Sequence, residues 1–128
     1  MEDRLALRLQ LFRDSGQASP QVTRFVEEEL TALAAEGHPV TEDTAGLLTS
    51  HLVMALTRLL NGEPIEQFLT DDDVAVELAD HPRAVERAHA ISLRAKKELG
   101  AALPDSEINF LAMHLAVLRK NALRRDVP

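Results

Sequence analysis

Between Leu103 and Arg125 the chain places Ile108, Leu111, Leu115, Leu118 and Ala122 three or four residues apart. That period belongs to an α-helix with one buried face and cannot be met by a strand, whose sides alternate every residue. Pro104 suits a first helical position, and Asp105 and Glu107 suit the positive end of the helix dipole. His114 stands at the edge of the apolar stripe, with Glu107 seven residues earlier, two turns back and on nearly the same face.

The same grammar recurs along the chain. Leu5, Leu9 and Phe12 give a short helix over Asp3 to Arg13 that breaks at Asp14-Ser-Gly16. Ser19 can cap and Pro20 can open a second helix, whose stripe Val22, Phe25, Val26, Leu30 and Leu33 ends near Gly37. Glu27, Glu28 and Glu29 are expected on its solvated side. Thr41 with Glu42 and Asp43 opens a third helix that Asn61-Gly62 closes, and it carries His51 and, seven residues on, Arg58.

Pro64 calls for an extended connection, Ile65 to Leu69 for a short helix or turn, and Asp71-Asp-Asp73 for a cap before Val74 to Leu78. The aspartate triplet lacks the alternate spacing, glycine and distal glutamate of a calcium loop. Pro82 begins a further helix with Val85, Ala88, Ile91, Ala95 and Leu99 on one side, stopping at Gly100. Five or six helices joined by short loops predict an all-α compact bundle, a single domain over residues 1–128.

Composition narrows the function classes. The apolar share of 45% comes largely from Leu and Ala, with four Phe and no Trp or Tyr, which favours helices. Without cysteine there are no disulfides, thiolate catalysis or cysteine metal sites. The charged N-terminus is neither a signal peptide nor a membrane span, so a cytoplasmic protein is expected. A net charge of −7 disfavours binding to a phosphate backbone, and the basic cluster Arg119, Lys120, Arg124 and Arg125 suits a helix C-terminus.

Two apolar helices, each with one embedded histidine and a charged residue two turns away, form the constellation able to carry chemistry. His38 and His81, each before a proline, are expected at the surface, and His89 exposed on its helix. Taken alone, His51 and His114 suit hydrogen-bonded side chains at the edge of a core. A histidine that accepts a phosphoryl group must be neutral and reachable, and must then carry about −2 charge beside hydrogen-bond donors. Arg58 could be such a donor, although two turns span about 10.5 Å, and Glu107 could orient an imidazole through a ring nitrogen. Metal is a weaker reading, because His51 and His114 lie on separate helices far apart in sequence and neither stands in a His-Glu-x-x-His or Glu-x-x-His spacing. Nucleophile elbows and phosphate-cradling glycine loops are absent, so no enzyme active site and no cofactor site can be assembled.

Leu48 to Ile65, with histidine, arginine at seven residues and then Asn61-Gly-Glu63, is followed by Leu103 to Leu115, with Pro-x-x-Glu and a histidine seven residues after the glutamate. Over roughly residues 20–120 these motifs resemble the PTS regulation domain (PRD), the module of transcription factors and antiterminators controlled by the sugar phosphotransferase system. The resemblance implies a dimerising helical bundle in which His51 and His114 accept phosphoryl groups from the phosphocarrier protein or a sugar-specific transporter component. It implies Arg58 and Glu107 as their supporting residues. The chain departs from the family at Gln67-Phe-Leu69, where Asn-Pro-Leu is common, and no nucleic-acid-binding domain is visible, the Asp3 to Arg13 helix being too short for a helix-turn-helix. A free-standing member, complete from Met1, or an excised fragment is therefore expected, acting on an unknown downstream protein through protein–protein contact. The alternatives are a non-phosphorylated helical interaction subunit, whose histidines would be inert to phosphoryl donors, and a small enzyme or metal protein.

Overall fold

Each break in the apolar pattern ends one helix and begins the next. The computed structural model describes residues 2–63 and 76–125, of which 121–125 by their backbone. Its helices are α1 (Asp3–Asp14), α2 (Pro20–Ala35), α3 (Glu42–Leu60), α4 (Pro82–Leu99) and α5 (Asp105–Arg125), with a further helical turn at 76–78. No strand occurs among the described residues, and the all-α bundle is as expected. The readings made for Pro64, for Ile65 to Leu69, for Asp71 to Asp73 with Val74, and for the side chains of Ala122, Arg124 and Arg125 lie outside the described residues.

The caps fall where local chemistry puts them. Ser19 Oγ accepts from the Val22 amide at 3.2 Å, with Pro20 at the first helical position. Thr41 and Thr44 exchange side-chain and backbone hydrogen bonds, closing a capping box at the start of α3. Losing that box through Thr41→Ala should cost about 1 kcal/mol, read as a lowered denaturation midpoint at unchanged slope. At the other end of α4, Gly100 adopts φ 84°, a left-handed conformation that closes the helix without a Cβ penalty.

The stripes meet in one core. Leu5, Leu9, Val22, Val26, Leu30, Leu33, Leu52, Val53, Leu56, Ile91, Leu111 and Leu118 are each at most 2% exposed, a continuous apolar interior that removes about 1.5–3 kcal/mol of side-chain hydration penalty per large residue. α3 packs against α1, α2 and α5, whereas α4 makes its broadest contact with α5. The histidine helices α3 and α5 are thereby neighbours.

Three polar residues depart from expectation. Glu29 is not on the solvated side: it is 4% exposed, receives the Nε and Nη2 donors of Arg94, and lies 3.5 Å from Arg87 Nη1. Its α2 position, three residues after Val26 and four before Leu33, belongs to the buried stripe. A carboxylate there must be paired, and α4 provides both guanidiniums. His38 and His81 are half-buried rather than on the surface. His81 precedes α4 as its N-terminal flanking residue, with Nε2 3.8 Å from Glu77.

Candidate functional site

Glu107, Phe110 and His114 follow one another at three and four residues along α5, so all three face the same way. They face His51 of α3. His51 Nε2 and Glu107 Oε2 are 2.8 Å apart, with the histidine side chain 19% and the glutamate side chain 4% exposed. The Phe110 ring stacks on the His51 ring, centroids 4.1 Å apart at 29°. The His114 ring lies 5.9 Å from that of His51 and 4.8 Å from that of Phe110.

Each contact has a consequence for the imidazoles. The Glu107 carboxylate, 2.8 Å from Nε2 of His51, is placed to accept a hydrogen bond from it and so limits rotation of the ring. The Phe110 face holds that ring from one side. Burial pushes the His114 pKa below its ordinary value, and nearby His51 pushes it the same way. At neutral pH His114 is therefore uncharged, the form with a nucleophilic lone pair. It is also reachable, because His114, Phe110, Met113 and Val117 line a cavity of about 270 Å³ beside Glu77 and Lys120.

The depressed His114 pKa makes stability depend on pH with a definite sign. The folded state disfavours the protonated ring, so the unfolded chain binds the proton more readily. This contribution is complete above about 6.5, the unfolded value, and is lost as pH falls below it. Burial depresses the His38 pKa too, with the same sign. His114→Asn should therefore flatten part, not all, of the stability decline below pH 6.5 in denaturation series.

Of the residues singled out in the sequence, the structure brings together His51, His114 and Glu107. Glu107 belongs to the same helix as His114 but hydrogen-bonds across to His51. Arg58, half-buried on α3, forms no hydrogen bond or ion pair with the described residues. Phe110 went unnoticed in the sequence, although its position three after Glu107 and four before His114 puts it on their face. Among the described residues no group of three or more histidines, aspartates or glutamates could hold a metal ion, and no helix is long and apolar enough to cross a membrane.

The family model of the PRD domain matches residues 37–118. The chain belongs to the PRD domain family. Its members are domains regulated by the sugar phosphotransferase system, and the PRD segment of this chain contains His51, Arg58, Glu107 and His114. α1 and α2 lie before it. Neither the curated proteins nor the solved structures compared with the chain gave a match.

Proposed function

We propose that this PRD domain is a switch set by phosphorylation of His51, His114 or both, with the phosphocarrier protein or a sugar-specific transporter component as donor. The observation that carries the reading is the pairing of two imidazoles 5.9 Å apart at the α3–α5 contact, one hydrogen-bonded to a buried carboxylate and the other uncharged and lining a cavity. In the transfer a ring nitrogen attacks phosphorus, an N–P bond forms as the donor's bond to phosphorus breaks, and the other ring nitrogen keeps its proton. The domain is then the substrate of phosphoryl transfer rather than an enzyme. Arg58, which has no ion-pair partner among the described residues, supplies a cation two turns from His51.

The switching force is electrostatic. A phosphoryl group on His51 adds about −2 charge beside Glu107. At a separation of about 5 Å and an effective dielectric constant of about 20, the repulsion is on the order of 7 kcal/mol. That exceeds the roughly 5.5 kcal/mol that moves a two-state equilibrium from 1:99 to 99:1. The repulsion weakens the His51–Glu107 contact, and the α3–α5 packing is the element that responds.

Output through protein contact, in a cytoplasmic homodimer or with a downstream regulator, is supported by an apolar groove. Leu7 and Leu11, 53% and 59% exposed, line about 610 Å³ on α1 together with Phe12. His51→Ala with His114→Ala tests the assignment. The double variant should lose phosphoryl acceptance and any effect of phosphorylation on the association state. If acceptance and dimerisation match the parent chain, the assignment is wrong, and the domain is an interaction subunit whose histidines are satisfied core residues.

A further inference from the structure

A second polar cluster lies on a different face of α5 from His114. His38, Arg83, Arg87 and Arg119 line a cavity of about 330 Å³ between the α2–α3 turn and the first turns of α4, with Glu36 and Glu86. Arg119 stands well before the last turn of α5, so complementing the helix dipole does not explain it.

The charges there do not cancel. Arg87 donates from Nε and Nη2 to Glu36 at 3.0 and 2.8 Å, and Glu29 is taken by Arg94. Arg83 and Arg119 form no hydrogen bond or ion pair with any described residue, which leaves two guanidiniums against the single carboxylate of Glu86. His38 Nδ1 is buried without a hydrogen-bond partner. Burial depresses the pKa of His38, with Arg119 and Arg87 adding to the effect against Glu36, so the ring is neutral at pH 7. His81 makes no side-chain hydrogen bond to the start of α4, and Arg83 and Ala84 of that first turn line the same cavity.

We infer that this cavity binds a small phosphate monoester, its dianionic end held by Arg83 and Arg119 and its organic end seated over Ala84 and Leu115. Two guanidiniums without an ion-pair partner among the described residues outweigh the one carboxylate of Glu86, and their planar forks fit phosphoryl oxygens. A volume of about 330 Å³ exceeds what a bare ion fills and falls at the lower end of small-ligand sites, about 300–1,000 Å³. The site does not depend on phosphorylation of either histidine.

Titrating the whole chain at fixed low ionic strength with glycerol 3-phosphate, inorganic phosphate, glycerol and succinate tests this, with heat and the His38 ring NMR signals as readouts. Saturable binding of glycerol 3-phosphate is expected, tighter than inorganic phosphate, with none of glycerol. Arg83→Gln, at an exposed position, and Arg119→Gln should each weaken it about tenfold or more, and Glu86→Gln should tighten it. The proposal is overturned if no monoester binding saturates, if inorganic phosphate or succinate binds as tightly, or if Arg83→Gln and Glu86→Gln both leave binding unchanged.

Discussion

Glu29→Ala should lower the unfolding free energy by about 3 kcal/mol, the low end of the range for breaking a buried ion pair. The carboxylate is 4% exposed and is met by Arg94 and Arg87 from α4, so its removal leaves two guanidiniums facing an apolar stripe. Arg94, 41% exposed, can turn toward water, and Arg87 keeps Glu36, which is why the cost should not reach the upper end. The loss should appear in urea denaturation as a lower midpoint with unchanged slope. Replacing Glu29 and Arg94 together by Met and Leu should restore most of it, because removing a whole buried pair avoids stranding one charge. A single variant as stable as the parent would show that Glu29 is not paired as described.

The second large effect concerns the His51–Glu107 contact. Phosphorylation of His51 should destabilise the resting arrangement of α3 against α5 by several kcal/mol, through the repulsion of about −2 charge from a carboxylate held 4% exposed. In hydrogen exchange, the amides of the first two turns of α5 should lose protection when the domain is phosphorylated. Glu107→Gln keeps a hydrogen-bonding group of the same shape but removes the charge, so phosphorylation of that variant should perturb α5 far less. Equal loss of protection in both proteins would mean that charge at Glu107 does not drive the response.

Much of this architecture is local and so was legible in the sequence. Ser19, Thr41 and Gly100 act within a few residues of themselves, and each caps or closes a helix as its chemistry dictates. Buried stripes follow from period alone. What crosses between helices was harder. Spacing placed Glu107 on the face of His114, but which imidazole it would bond depends on how α3 and α5 lie against each other, and the bond goes to His51. Glu29 was hidden in a run of three glutamates, although its register with Val26 and Leu33 marked it as inward. His38 looked like a loop residue, and only the approach of Arg87 and Arg119 from α4 and α5 shows its surroundings.

Incubating the chain with phosphoenolpyruvate, the general phosphotransferase enzyme and the phosphocarrier protein, and then mapping any acid-labile phosphate by mass, tests the switch most directly. A sugar-specific transporter component should follow as a second donor. One such modification or more is expected, confined to His51 and His114. An unmodified, folded domain with both donors, or phosphate on another residue, would contradict it.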